Sequence, residues 1–538
     1  MNVPLERLGE RLIPFLAIVA GIGLAIYGGK LAAQGQFSTV AFIAIGLITL
    51  ALVIKLNTRL WMLLIAVWPL TGKLQFLNIP FNVRELIGLI VFLAFIVMIA
   101  VKLIRQKGKF GSLDTLLWIN IFYVVTVFIR NPVGLDIFDA ERVGGRDYFN
   151  LFIAVVSYLV LSRSAATPRQ ARKLPLFIVF STGIIAVLSM ITYFRPSLFP
   201  LIATIYSGVY GGGYQAQDVL NAQWTGEGNK DRIDTLMFFA QAGFLCLCSF
   251  YRSVTLINPF YFRRFCMMLV CAAATLFSGF RSVVFLNGAM FILSAYFRKR
   301  IRETSLLFLM ALPLLIALTI AQGKLFELPL PAQRALSFLP GDWKYDVVQD
   351  TKGSTEWRVQ MWKRALTSDR YIENKLLGDG FGYRRADMQR LDRMAAMGAT
   401  YADTQEIMML SGNYHSGPVS AIRYVGAVGL ILYYIFIIAL AVHAARLIRS
   451  CRETPFFIPA LFFCLPVFFH PFFYTFIFGG YQGAIVESVF ALGCMKMLER
   501  SLAAYREEDK KKKPVLPGLE PAFHAGQKKH EELLALSK

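Results

Sequence analysis

Charge is what this chain has least of. Of its 538 residues only 17% are charged, against 56% hydrophobic, where a soluble domain carries nearer a quarter charged residues. That shortage excludes a string of soluble domains of the same length. Cysteine is scarce too. The seven cysteines fall in apolar stretches or, as Cys451, in a basic connection, which excludes a disulfide framework and a thiolate metal site. Histidine occurs five times. No internal repeat is visible, which weighs against an inverted-repeat transporter.

What the chain has instead is long apolar runs. They lie at about 13–28, 38–54, 60–70, 85–104, 113–129, 149–162, 175–194, 235–251, 265–279, 282–297, 305–321, 419–447, 455–478 and 483–497. A helix crossing a bilayer needs roughly 20 apolar residues, so the shorter runs must recruit their flanks. Mean hydropathy of +0.54 fits the same reading: an all-α polytopic membrane protein of about 12–14 transmembrane helices. The first run follows Arg7 and Arg11 like a signal peptide, but lacks a small-residue cleavage site and is read as the first helix.

Basic residues orient these helices, because cytoplasmic connections are enriched in Lys and Arg. Lys102, Arg105, Lys107 and Lys109 fill one connection, and Arg163, Arg169, Arg172 and Lys173 the next alternate one. Arg252, Arg263 and Arg264, then Arg298, Lys299, Arg300 and Arg302, then Arg446, Arg449 and Arg452 continue the series, and Lys510 to Lys513 close it. With fourteen helices all of these share one side, and both termini are cytoplasmic. The net charge of +22 then reflects positive-inside anchoring and attraction to anionic lipid. Scattered over short loops, it gives no nucleic-acid footprint.

The intervening connections lie outside: 130–148, 195–234, a short turn near 280, 322–416 and 478–482. The chain divides into helices one to eleven (1–321), a large extracytoplasmic loop domain (322–416), helices twelve to fourteen (417–498) and a basic cytoplasmic tail (499–538). A loop of about 95 residues is far beyond ordinary connections and is functional or disordered. This one has pattern. In TEWRVQMWKRAL, Trp357, Met361 and Ala365 recur every four residues, an amphipathic helix. LLGDGFGYRR follows, with Gly378, Gly380 and Gly382 permitting tight turns and close backbone approach. No strand precedes it and nucleotides are not expected outside, so it is not a nucleotide fingerprint. Residues 384–410 read as helical.

Polar residues on the outer side need a reason. Arg281 stands in a very short turn between two apolar runs, Arg232 at the outer start of a helix beside Asp231 and Asp234, and Arg358 on the amphipathic helix. Arg423 lies two turns into the helix after His415, with Glu487 near the outer end of the last helix as a structural partner. Each has a structural alternative, as an interfacial anchor, an ion-pair member or a solvated helix face. Together they suit phosphate on a lipid carrier, since guanidinium binds phosphate oxygens bidentately. Tyr206, Tyr210, Tyr214 and Trp224 suit either sugar stacking or interfacial anchoring. His415 is the only histidine in an outer loop, and no Cys or Asp-x-Asp pair accompanies it, so a metal centre is not expected. An imidazole there can take a proton from a hydroxyl. Glu487 and His470 are reserve polar residues within helices, where an ionisable group is functional by default.

Three motifs carry a resemblance to the O-antigen ligase and O-antigen polymerase superfamily of bacterial membrane glycosyltransferases. His415-Ser416, followed by Gly426 and Gly429, is similar to the ligase pattern after the large periplasmic loop. WRVQMWKRAL with LLGDGFG resembles the family's arginine–tryptophan helix and glycine turn. SGFRS with Arg281 resembles its serine–arginine turn. DRIDTLMFFAQAG with Arg232 is similar to a further arginine motif, without the Pro-Asn that follows in the family. The resemblance implies a multi-pass inner-membrane enzyme with its active site facing the periplasm. It implies metal-free transfer of a glycan from undecaprenyl pyrophosphate to a hydroxyl of lipid, glycan or protein, with inversion and no cofactor. On that view His415 and Arg281 are catalytic, and Arg232, Arg358 and Arg423 hold the donor. Two other classes fit the residues less well: a lipid-linked oligosaccharide flippase or exporter, and a non-catalytic assembly factor that uses its loop for docking.

Overall fold

The structure is a computed structural model, and it describes residues 29–30, 33–35, 59–77, 79–100, 110–134, 142–210, 233–396, 406 and 408–512. The apolar runs at 13–28 and 38–54, the basic connection at 101–109 and the tail beyond 512 lie outside the described residues. The described chain is mostly helical. Its elements in order are α1 (Trp61–Val67), α2 (Val83–Ala100), α3 (Ser112–Arg130), β1 (Arg142–Val143), α4 (Arg146–Leu161), α5 (Pro168–Phe194), α6 (Phe199–Ile205), α7 (Asp234–Phe250), α8 (Ser253–Ile257), α9 (Phe262–Phe277), α10 (Arg281–Phe297), α11 (Ile301–Ala321), α12 (Leu330–Leu336), α13 (Tyr345–Thr367), β2 (Tyr383–Arg384), α14 (Arg385–Ala396), α15 (Gly417–Cys451), α16 (Phe457–Phe476) and α17 (Tyr481–Lys512).

Among the described residues five helices are long and apolar enough to cross a membrane: α2, α3, α5, α15 and α16. Their starts are written in local chemistry. Thr167 accepts from the Gln170 amide while Gln170 reaches back to the Thr167 amide, and Pro168 follows at the first turn of α5. Asn82 and Glu85 exchange two such bonds of 2.8 Å at the head of α2. The outward faces carry Leu93, Val97, Phe122, Ile129 and Phe180, each more than half exposed. Water would not tolerate so much contiguous apolar surface; hydrocarbon would.

The run at 60–70 behaves differently from the others. It folds as the seven-residue α1, about 10 Å long at 1.5 Å per residue, a third of a hydrocarbon core. Trp61, Leu64 and Ile65 are buried in the bundle.

Loops collect at two opposite ends. At one end β1 pairs antiparallel with β2, Val143 opposite Tyr383, so the 130–148 and 322–416 segments are joined. This small ladder is a departure from an all-α chain. Arg130 donates to the Leu377 carbonyl at 3.0 Å, and Gln482 donates to Asp147 at 2.6 Å. At the other end Lys496 meets Asp114 at 2.9 Å, Ser501 accepts from the Ala166 amide at 2.7 Å, and Arg452 donates to the Phe297 carbonyl. Among the described residues the basic connections near 163–166, 298 and 450–452 therefore sit together with the end of α17, away from the 322–416 segment. Between the ends, α4, α15, α16 and α17 form the centre, where Tyr433, Phe436, Tyr474 and Tyr481 are fully buried.

Candidate functional site

The 322–416 segment is held to the bundle at the head of α15. The stripe expected in α13 is buried: Met361 and Ala365 pack with Ile372, Met409, Tyr414 and Val419, and Trp357 and Trp362 flank them. The helix itself begins at Tyr345, ten residues before the expected start. Trp362 Nε1 donates to the Tyr414 carbonyl at 2.7 Å. The next residue is His415. Its backbone is left-handed, with φ of 50°, a conformation that among the described non-glycine residues only Lys299 shares and that costs of order 1–3 kcal/mol. The turn aims the half-buried ring at Phe478, 5.2 Å between centroids. Ser416 then takes the N-cap position of α15 in an extended conformation, and Tyr474 donates to the Gly417 carbonyl at 2.7 Å.

Two turns later α15 breaks. Gly426 has φ of 70° and ψ of −179°, a region that essentially only glycine occupies. The break frees backbone groups, and the glycine turn takes them up. The carbonyls of Arg423 and Tyr424 accept from the amides of Asp379 and Gly380, both at 2.9 Å. The amides of Ala427 and Val428 donate to the carbonyls of Lys375 and Leu376, at 2.9 and 3.2 Å. A Cβ on Gly378 would lie 2.5 Å from the Gly426 nitrogen, and one on Gly426 would collide with the Leu376 carbonyl. Gly429 sits where a Cβ would meet Val425 and Tyr123. The glycines of both motifs are therefore one splice between loop and helix.

Side chains lock the splice. Arg423 and Asp379, 3% and 2% exposed, form a buried ion pair. Asp379 also accepts from the amides of Glu373 and Asn374, at 3.0 and 2.8 Å. The partner of Arg423 is thus Asp379, and not Glu487 as its position in the sequence suggested. Its guanidinium faces the turn rather than open space. Burial pushes the nearby Tyr414 hydroxyl up to about 12, with Arg423 opposing.

The other candidates spread outward from this body. Arg358 is half-buried on α13, next to Trp357. Arg281 is the first residue of α10, after a left-handed Gly279. Its helix lies along α16, with Phe285 against Phe469 and Phe472, and Phe478 follows the end of α16. Arg232, with Tyr214 and Trp224, lies outside the described residues. His470 Nε2 is 3.0 Å from the Tyr433 hydroxyl, which also meets Ser488 at 3.1 Å. Glu487 takes both its bonds from Trp68 Nε1, at 3.0 and 2.9 Å.

Three groups escaped the sequence reading. Asp379 stood between two glycines that drew attention in its place. Arg84 and Glu85 open an apolar run, a position where a charge pair is unusual. Asp147 sits just ahead of another run, and burial pushes its carboxyl up to about 6 against the lowering effects of Arg146 and of the Gln482 hydrogen bond. No protein-family model matches this chain, and no curated protein matches it.

Proposed function

We propose that this protein is a bacterial inner-membrane glycosyltransferase of the O-antigen ligase and polymerase type. One observation carries the reading. The α13 segment, the glycine turn and the His415-to-Gly429 segment, which bear the resemblance, pack into a single body at one end of the helix bundle, with His415 at its edge. In this reading that end faces the periplasm and the basic end faces the cytoplasm. A donor in that setting arrives already activated on a lipid, as undecaprenyl pyrophosphate.

The acceptor oxygen attacks the anomeric carbon from the face opposite the pyrophosphate. The bond from carbon to pyrophosphate oxygen breaks, its electron pair leaves with the lipid pyrophosphate, and the configuration inverts. His415 orients the hydroxyl and takes its proton. Arg281 and Arg358, with Arg232, neutralise charge growing on the leaving group. Arg423 shapes the site through Asp379. No metal has a place in the step.

The test is purified protein in nanodiscs with an undecaprenyl-pyrophosphate oligosaccharide and, in separate reactions, a lipid A core, a growing glycan and a protein acceptor, all with EDTA. Transfer to one of them, lost in His415→Ala, is the expected result and separates ligase from polymerase. Absence of transfer to all three, or transfer that returns only when a divalent ion is added, overturns the reading.

A further inference from the structure

The helix α17 shows lipid nothing: it supplies none of the exposed large apolar side chains among the described residues, and it packs on α4, α15 and α16. Yet Gly480 at its head, Gly483 and Glu487 are exposed. Spacings of three and four residues put them on one face. A Cβ on Gly483 would meet nothing within 4 Å, and one on Gly480 only Ser420 Oγ at 4.0 Å. On the same face two turns below Glu487, Cys494 is fully buried. A lipid-facing stripe would continue; this exposure stops. It is a blind pit, about 10 Å from Gly480 to the carboxylate at 1.5 Å per residue. Its mouth adjoins Phe478 and hence His415.

The floor has a defined chemistry. Trp68 stacks on Phe490 at 3.7 Å between ring centroids, and the Arg84 guanidinium lies 4.8 Å from the Trp68 centroid. The indole therefore fixes Glu487 through Nε1. Arg84 is 8% exposed, donates to Asn150 at 3.1 Å, and leaves Nε without a hydrogen-bond partner among the described residues. The Arg84 guanidinium acts on the Glu487 carboxylate, so the floor pairs one charge of each sign and offers a ligand no net charge to neutralise. With open space at Gly483 and Gly480 above it, the carboxylate suits hydroxyl donors on an uncharged ring.

We propose that this pit is a hydroxyl-recognising subsite for a neutral sugar of the transferred glycan, with Glu487 as the residue that reads it; the assignment rests on the glycosyl-transfer reading. The experiment uses the full chain in nanodiscs on an array of immobilised hexose and N-acetylhexosamine di- to tetrasaccharides, alongside KM and kcat for transfer. The variants are Glu487→Gln and Gly483→Leu. The second fills open space and replaces glycine by a better helix former, so it folds even where the first does not. A hydrogen bond to a charged group is worth ~10- to 100-fold, so both variants are expected to lose tenfold or more in binding, with KM rising more than kcat falls. Wild-type affinity and KM in Gly483→Leu overturn the subsite and leave transfer standing. Glycan binding that Gly483→Leu abolishes, in a wild type that transfers nothing, supports the subsite and overturns the reaction.

Discussion

Asp379 and Arg423 are bound twice, once by backbone and once by side chain. The Asp379 amide donates to the Arg423 carbonyl at 2.9 Å, and their side chains form a buried ion pair. The two contacts hold the glycine turn in the break of α15. Removing one partner leaves the other charge buried, which costs about 3–5 kcal/mol. Asp379→Asn is therefore expected to lower the unfolding midpoint sharply in detergent. Arg423→Met with Asp379→Asn should be less destabilised than the sum of the single variants, by 1 kcal/mol or more on a double-mutant cycle. Strict additivity would show that the pair does not lock the splice.

His415 separates chemistry from folding in a way its neighbours do not. Its left-handed backbone is unstrained for glycine and costs other residues of order 1–3 kcal/mol. His415→Gly should therefore unfold at a higher temperature than His415→Ala. Both should lose transfer by ~100- to 10,000-fold, the usual worth of a general base. Full activity in either variant removes His415 from the mechanism.

Arg281 and Arg264 lie at opposite ends of the bundle and offer a matched comparison. Arg264 rests over Tyr251 and Tyr261 at 4.5 and 4.9 Å, contacts worth about 0.5–1 kcal/mol at an exposed site. Arg264→Ala should leave kcat/KM unchanged. Arg281→Ala should lower it ~10- to 100-fold, and Arg281→Lys should recover little, because ammonium lacks the bidentate fork. Equal tolerance at both positions, with normal protein levels, makes Arg281 an interfacial anchor.

Local signals were legible and long-range partners were not. The apolar runs over α2, α5, α15 and α16 announce themselves by length, and Trp357, Met361 and Ala365 by period, because both depend on neighbours in the chain. The partner of Arg423 lies 44 residues upstream and that of Glu487 lies 419 residues away. Which carboxylate an arginine meets is settled by how Gly426 breaks its helix, and no periodicity records that. The short α1 escaped for a related reason: an apolar run reads alike whether it crosses a membrane or fills a bundle. The β1–β2 pairing joins two segments of mostly polar residues with no alternation to mark them.

The segregation of loops sets up a topology test. Leu325 and Phe338, 83% and 55% exposed in the 322–416 segment, and Phe260, 96% exposed between α8 and α9, stand in connections assigned to opposite sides. Single cysteines at these positions, with the seven native ones replaced, should divide. Those at 325 and 338 should react with an impermeant thiol reagent in intact spheroplasts, and that at 260 only after permeabilisation. The reverse pattern turns the molecule over and removes the periplasmic site.

Asp147 gives the protein a pH dependence of known sign. Burial raises its folded carboxyl to about 6, above the usual ~3.9 of an aspartate. Between those values the folded state holds a proton that the unfolded state has released. The stability tied to this group is fully present below about pH 4 and is lost as pH rises through 6. Other carboxylates also titrate in this range, so the informative quantity is a difference. Asp147→Asn keeps an oxygen to accept from Gln482 but cannot titrate. The unfolding midpoint of the wild type minus that of Asp147→Asn should therefore fall between pH 4 and 6 and stay level from 7 to 8. A difference that is flat throughout, or that rises with pH, would mean that Asp147 is charged in the folded protein and held by Arg146.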